Sequence, residues 1–178
     1  KEKATVLVLG LGNADVTADA LGPDVVKNIE INRHYAKEAG IQVAVAGLAP
    51  GVMAQTGIET SEILESLADR IKPDVVIVID ALAARSYSRL NKTIQISDTG
   101  ISPGAGTGNM RTALNEETLG VKVVAVGVPT VIDARTLILD SLDGYLTDAA
   151  AAEAFVNDRG VNMIVTSTEI DQVIRDFS

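Results

Sequence analysis

The sequence predicts an α/β fold with a mostly parallel sheet and helices on both of its faces. Short apolar runs alternate along the chain with longer segments in which apolar residues recur at helical spacing. This alternation is typical of βαβ units, in which a helix crosses between two parallel strands. With 178 residues, of which 47% are hydrophobic, the chain is long enough to bury a core, and we expect a single domain over residues 1–178.

The predicted strands are short runs rich in valine and isoleucine. Such runs, bounded by turn-forming residues, are typical of strands that are buried in a parallel sheet. The first run begins only a few residues into the chain. The six runs cover residues 5–9, 42–46, 75–79, 93–96, 122–126 and 162–166.

Four longer segments repeat apolar residues every three or four positions, which is the period of an amphipathic helix. Residues 98–115 match neither pattern and are rich in glycine and serine. Because a loop of this length is usually functional or mobile, we place it over a cleft, with residues 104–108 as a flap that excludes water. The predicted helices cover residues 23–33, 60–71, 132–146 and 168–177.

The composition argues against several classes of function. The chain has no cysteine, which excludes disulfides, thiol catalysis and thiolate metal sites. Its formal net charge of -9 disfavours direct binding to nucleic acid and would attract a basic partner. No apolar run approaches the roughly 18 residues of a membrane span, and no signal-peptide pattern opens the chain. We therefore expect a cytoplasmic protein with neither a membrane nor a nucleic acid as its partner.

Two aspartates carry the main functional prediction. Asp19 follows the first predicted strand, and Asp80 ends the third apolar run. In an open parallel α/β sheet, ligands bind in the crevice outside the carboxyl ends of the strands, so both carboxylates are expected to face one cleft. Burial and mutual repulsion can keep one carboxyl group protonated while the other stays ionised. The sequence therefore predicts a catalytic pair for general acid and base chemistry.

Four acidic residues also have a structural interpretation. Asp19 would interact with the backbone N–H groups at the start of a helix that Thr17 caps. Asp98 follows another predicted strand and is a third candidate for the site, but a turn with the next two residues explains it equally well. Glu59 and Asp133 are expected to be first-turn acids of helices. The structural alternative is therefore open for each of these acids.

The glycine-rich motif GLGN, at residues 10–13, follows a strand and precedes a helix, as a dinucleotide-binding turn does. The third glycine of the G-x-G-x-x-G pattern is missing, because Asp15 occupies that position. A carboxylate there would repel a pyrophosphate. We therefore expect a tight structural turn.

A metal site is a further interpretation of acids near strand ends. The single histidine, His34, lies late in the first predicted helix and is expected at the surface, several turns away from the two aspartates. Without cysteine or a nearby histidine, zinc lacks its ordinary ligands, and a Ser-His-Asp triad has no histidine within reach. Mg²⁺ would still find carboxylate oxygens. We expect a site that uses no metal and no other cofactor.

Five motifs of the chain closely resemble the germination proteases, or spore proteases, of endospore-forming bacteria. The resemblance covers residues 6–136 and returns at residues 165–173. It implies the fold of the hydrogenase-maturation endopeptidases, which is called phosphorylase/hydrolase-like. The motifs are GLGNADVTADALGP, APGVMAQTGIETSEI, VIVIDALAARS, TIQISDTGISPGAGTGN and GVPTVIDARTL.

This resemblance implies an atypical aspartic endopeptidase that is made as a zymogen and degrades small acid-soluble spore proteins in the spore core during germination. It also implies a homotetramer. The two aspartates proposed to be catalytic in the family match Asp19 in TADALGP and Asp80 in IDALAARS. Family members extend beyond both ends of this chain, so we expect a fragment that lacks the propeptide region and the carboxyl-terminal end.

Two other functions stay open at this point. In the hydrogenase-maturation endopeptidases, the acids that match Asp19 and Asp80 bind metal together with a later histidine, which has no counterpart here. A metal-dependent maturation-type peptidase or metallochaperone would need a metal ion between the two aspartates. A noncatalytic nucleotide-binding module would need to bind phosphate at residues 10–13.

Overall fold

A computed structural model of the chain describes residues 4–103, 112–142 and 164–166. The chain is organised as two compact units. The first consists of Lys1–Ala81 and Ile94–Gly127, and the second of Leu82–Thr93 and Val128–Ser178. The predicted single domain over residues 1–178 stays a prediction.

The sheet contains strands from all six predicted regions. They are β1 (Ala4–Gly10), β2 (Val43–Leu48), β3 (Val75–Ala84), β4 (Gln95–Ser97), β5 (Lys122–Asp133) and β6 (Ile164–Thr166). Five of them follow the order β2-β1-β3-β5-β4, and β6 pairs with β5. Strand β1 is parallel to both β2 and β3, whereas β4 and β6 are antiparallel to β5. The predicted α/β fold with a mostly parallel sheet is therefore confirmed.

Helix α3 has the bounds that the sequence predicts, because signals at both of its ends are local. The backbone N–H of Glu59 donates to the Glu62 carboxylate at 3.3 Å at the start of the helix. Lys72 ends it in the left-handed conformation, with φ of 50°. The described helices are α1 (Leu21–Asn28), α2 (Met53–Thr56), α3 (Thr60–Ile71), α4 (Glu116–Leu119) and α5 (Ala134–Leu142).

Helix α1 is shorter than predicted, because strand β2 competes for the chain that follows it. The sequence pattern extends the helix to residue 33, but it ends at Asn28 and Ile29 is extended. The backbone N–H groups of Asn32 and Arg33 both donate to the carbonyl of Val45, at 3.1 and 2.9 Å. The Asn32 side-chain oxygen accepts the Val45 N–H in return, at 2.8 Å. Long-range hydrogen bonds here replace the helical ones that local spacing favours.

Strand β5 is longer than predicted and takes over the start of the predicted helix at residues 132–146. Buried and less buried side chains alternate along the strand as far as Pro129, and Ile132 near its end is buried again. Helix α5 then begins at Ala134, and the Asp133 carboxylate accepts the Thr136 backbone N–H at 3.1 Å. A strand and a helix therefore meet without an intervening loop.

Each unit has its own described apolar core. In the first unit, leucine and valine side chains from β1, β3 and α3 pack with residues from the α4 region and β5. In the second unit, a smaller cluster joins the far end of β3 to β5 and α5. The first core contains Leu7, Leu9, Leu11, Leu64, Val76, Val78, Leu114, Leu119 and Val123, and the second contains Ala84, Leu90, Ile132, Ala134 and Leu137.

The predicted long loop begins and ends with a backbone contact. Ile101 and Leu114 exchange two backbone hydrogen bonds, at 3.0 and 2.8 Å, and form an isolated antiparallel bridge. The predicted flap at residues 104–108 and the predicted helix at residues 168–177 lie outside the described residues. None of the helices described in this chain is both long and apolar enough to cross a membrane.

Candidate active site

The turn after β1 lies directly against the start of α1 and needs glycine for that contact. A Cβ atom at Gly10 would overlap the backbone of Gly22, and one at Gly12 would overlap the backbone oxygen of Asp19. Gly12 also has φ of 114°, which L-residues with a side chain rarely adopt. The motif therefore forms a close-packed structural turn, as the sequence predicts for residues 10–13.

Asp19 is the last residue of a short 3-10 turn, Thr17–Asp19, that precedes α1. Its half-buried carboxylate accepts the backbone N–H of Asn13 at 2.7 Å. The predicted cap at Thr17 is wrong, because α1 begins after Ala20 and that residue forms no side-chain cap. The described bond of Asp19 thus joins its carboxylate to the turn after β1.

Asp80 lies within β3 and its side chain is almost fully buried, with 8% of its surface exposed. It follows Val76 and Val78 in the alternation of buried side chains along the strand, so it extends the core-facing side of β3. Within the described ranges, every buried side-chain nitrogen or oxygen atom has a hydrogen-bond partner. Asp80 is therefore a buried polar group with its hydrogen bonding satisfied.

The prediction that Asp80 ends its strand is wrong, because β3 continues for four more residues to Ala84. The pairing of β3 with β1 does stop immediately before Asp80, at Ile79. In the strand order, β3 lies between β1 and β5. Asp80 therefore lies immediately after the last residue of β3 that pairs with β1.

The structure places Asp19 beside the turn that follows β1, and Asp80 beside the position where β1 stops pairing with the parallel strand β3. The link between them is the three-residue segment 11–13. At one end of this segment, the Leu11 backbone N–H donates to the carbonyl of Ile79 at 2.8 Å, next to Asp80. At the other end, Asn13 donates to the Asp19 carboxylate. The predicted coupling between the two carboxylates stays a prediction.

Gln55 belongs to this region, although no periodicity in the sequence singles it out. Its side-chain nitrogen contacts the side-chain oxygen of Asn13 at 3.1 Å and a carboxylate oxygen of Asp15 at 3.4 Å. The same Asn13 oxygen accepts the backbone N–H of Asp15 at 2.9 Å. The sequence indicates Gln55 only indirectly, because this residue lies in the family motif APGVMAQTGIETSEI.

The structure also gives the positions of the other three acids that the sequence singled out and of the single histidine. Glu59 begins α3 and Asp133 holds the first turn of α5, so both have the helix-start roles predicted for them. Asp98 is exposed in the turn after β4. His34 is exposed, as predicted, but lies in a turn beyond α1 and contacts the ring of Tyr35 edge-on. In the part of the chain that is described, no three His, Asp or Glu residues converge on a position for a metal ion.

A family profile described as germination protease matches residues 1–158. Curated relatives with the same name include one from Caldanaerobacter subterraneus subsp. tengcongensis, which is 54% identical over 148 residues, or 80% of this chain and 46% of the relative. The relative from Clostridium tetani is 52% identical over 153 residues, or 83% of this chain and 47% of the relative. One from Clostridium perfringens is 44% identical and covers 99% of this chain and 63% of the relative.

The chain thus spans between 46% and 63% of the length of these three relatives. Among solved structures, an uncharacterized protein from Wolinella succinogenes is 16% identical, covers 73% of this chain and 75% of its own, and has a TM-score of 0.34. A structural likeness this low carries no argument about function.

Proposed function

The chain belongs to the germination protease family, and on that premise we propose that it is the core of an endopeptidase that degrades small acid-soluble spore proteins during spore germination. We further propose that Asp19 and Asp80 are its catalytic residues. The observation that carries this proposal is the position of both acids beside the carboxyl end of β1, joined through segment 11–13.

Asp19 is the general base in the proposed mechanism. Its carboxylate accepts a backbone N–H, and a hydrogen bond of this kind favours the ionised form of an acid. The ionised carboxylate takes a proton from a water molecule, and the oxygen of that water attacks the carbonyl carbon of the scissile peptide bond. The half-buried position of Asp19 leaves part of its surface accessible.

Asp80 is the general acid in this mechanism. Because burial disfavours the charged form of a carboxyl group, the residue with 8% exposure is the better holder of the shared proton. Its proton polarises the scissile carbonyl and then passes to the leaving nitrogen as the C–N bond breaks. The two acids titrate as a pair, so their ionisations belong to the dyad.

The remaining family properties are also proposals for this chain. We propose a homotetramer that is made as a zymogen and acts in the spore core, with the described chain as the protease core. The acidic net charge of -9 would attract basic segments of a protein substrate.

The direct test is cleavage of a purified small acid-soluble spore protein by the full-length protein. We expect discrete internal cleavage products in the absence of added metal, detected by mass spectrometry. A protein that is folded and processed to its mature form but leaves this substrate intact would contradict the proposed activity.

A further inference from the structure

We propose that Gln55 is a positioning residue for Asp19 in the proposed peptidase, an inference that rests on the proposed function. Gln55 lies on the short helix α2, between β2 and α3, and is 42 residues away from Asn13 in the chain. Its side chain reaches the turn that supplies the described backbone donor to Asp19. It therefore acts on Asp19 through the turn and touches no reacting atom.

Hydrogen bonds to the Asn13 side chain define the geometry of the turn. The Asn13 side-chain oxygen accepts two hydrogen bonds, one from the Asp15 backbone at 2.9 Å and one from Gln55 at 3.1 Å. These two bonds fix the side chain of Asn13 relative to its own backbone. The backbone N–H of Asn13 is then held toward the Asp19 carboxylate, at 2.7 Å.

The middle of this turn has few described contacts with other elements. Residues 14–17 are exposed, so no packing against the core holds them. Backbone bonds from Val16 to Asn13 and from Asp19 to Val16, at 3.1 and 2.8 Å, close the turn on itself. Gln55 is the described contact that ties the turn to another element of the first unit.

Helix α2 positions Gln55 through hydrogen bonds around its single turn. Gly57 ends the helix with φ of 70° and donates its N–H to the carbonyl of Met53 at 2.7 Å. The Thr56 hydroxyl contacts the carbonyls of Val52 and Ile58, at 3.3 and 3.2 Å. Although α2 is exposed, these bonds define the single helical turn from which the Gln55 side chain reaches the other loop.

The consequence concerns the charge state of Asp19. A carboxylate that accepts a well-placed N–H is stabilised in its ionised form, which the proposed base requires. Without Gln55, the Asn13 and Asp15 oxygens lose a donor and the turn gains freedom to move. Ionised Asp19 then loses support, and a higher pH is needed to generate the base.

The test compares Gln55→Ala, Gln55→Glu and Gln55→Lys in the full-length protein. Alanine removes the donor, glutamate keeps the shape but places a carboxylate beside Asp15, and lysine restores an N–H donor. Gln95→Ala is the matched control, because Gln95 is an exposed glutamine on β4 with no side-chain hydrogen bond to any described residue. Circular dichroism establishes that each variant is folded.

The readouts are the pH dependence of kcat/KM for the spore-protein substrate and the titration of the Asp19 carboxyl carbon by NMR. In Gln55→Ala and Gln55→Glu, we expect the acidic limb of the activity profile and the Asp19 titration to move to higher pH by about one unit. In Gln55→Lys neither should move to higher pH, because the ammonium group supplies a donor and its positive charge favours ionised carboxylates. In Gln95→Ala both should stay within a few tenths of a unit of the parent protein.

A folded Gln55→Ala protein with an unchanged Asp19 titration would overturn the positioning role. This outcome is distinct from failure of the proposed function, since the NMR titration needs no substrate. If the parent protein cleaves the substrate through Asp19 and Asp80 but all three Gln55 variants keep its pH profile, the function stands and the role of Gln55 falls.

Discussion

At the scale of single residues, Asp19 and Asp80 have unlike surroundings, although both lie beside the carboxyl end of β1. Asp19 lies at the edge of a turn and accepts a backbone N–H, whereas Asp80 lies in a strand and is almost fully buried. One position favours the ionised carboxylate and the other the neutral carboxyl group. The unlike surroundings suit a division into base and acid.

Replacement of either aspartate by asparagine keeps the side-chain volume and removes the titrating group. For Asp19→Asn and Asp80→Asn, we expect kcat/KM to fall by at least about a hundredfold, since proton transfer contributes at this level. Initial rates of spore-protein cleavage provide the measurement, with circular dichroism as the check on folding. Near-normal turnover in both variants, or loss through unfolding alone, would refute the assignment.

Gly12 gives a second prediction at this scale, because it combines a left-handed φ of 114° with the backbone of Asp19 against its Cα. Gly12→Ala should lower the free energy of unfolding by roughly 1–3 kcal/mol from the backbone conformation alone, and by more from the overlap. It should also reduce cleavage, since the overlap displaces Asp19.

Gly40→Ala is the control for this prediction, because Gly40 has φ of 69° but no atom within 4 Å of an added Cβ. This variant carries the conformational cost without the overlap. Urea unfolding and cleavage rates should separate the two variants. Equal losses of stability and equal activities would contradict the close approach at Gly12.

At the scale of elements, the bounds that depend on neighbouring residues could be predicted from the sequence. The bounds that depend on long-range contacts could not. Helix α3 could be placed from its sequence, because its start and end depend on neighbouring residues such as Glu62 and Lys72. The end of α1 could not, because it depends on the bonds between Asn32 and Val45. The spacing of apolar residues carries no information about a hydrogen-bond partner that is 13 residues away in the chain.

The same division applies to the candidate site. The six strand regions followed from a parallel α/β pattern, although β3 continues past Asp80. Gln55 could not be found in this way, since its partners Asn13 and Asp15 are 42 and 40 residues away. An exposed glutamine on a four-residue helix has no sequence pattern of its own.

The junction between β5 and α5 gives the prediction at this scale. Asp133→Ala removes the acceptor for the Thr136 backbone N–H, so we expect the free energy of unfolding to fall by about 1 kcal/mol. Cleavage of the substrate should be unaffected. Asp98→Ala, which removes the same charge from an exposed turn, should change the stability by less than half of that amount.

Urea unfolding of the two alanine variants side by side measures the difference. Loss of cleavage in a folded Asp133→Ala protein would instead place this residue in the catalytic machinery. Equal stabilities of the two variants would show that Asp133 does not support α5.

At the scale of the whole molecule, the absence of cysteine and the exposed position of His34 shape the chemistry that the protein can use. Zinc sites in proteins are built mainly from cysteine and histidine ligands. A pair of carboxyl groups that shares one proton needs neither. The proposed peptidase is therefore expected to act without a bound metal ion.

Chelation tests this expectation. Dialysis of the full-length protein against EDTA should leave the cleavage rate unchanged, and added Mg²⁺ or Zn²⁺ should not raise it. Activity should fall at low pH, where both acids are protonated, and at high pH, where both are ionised. Activity that is lost in EDTA and restored by one equivalent of a divalent metal would move the protein to the metal-dependent alternative.

The contacts around Asp19 also predict when, during folding of the newly made chain, the proposed peptidase becomes active. The link to Gln55 and the bond from Leu11 to Ile79 each close a long stretch of chain. Contacts of this span form late in folding, because the entropy of closing a loop must be overcome first. We expect a nascent chain to reach this arrangement of Asp19 only after β3 has emerged and docked. In refolding experiments, cleavage should appear after helical circular dichroism, and simultaneous recovery of the two signals would contradict this order.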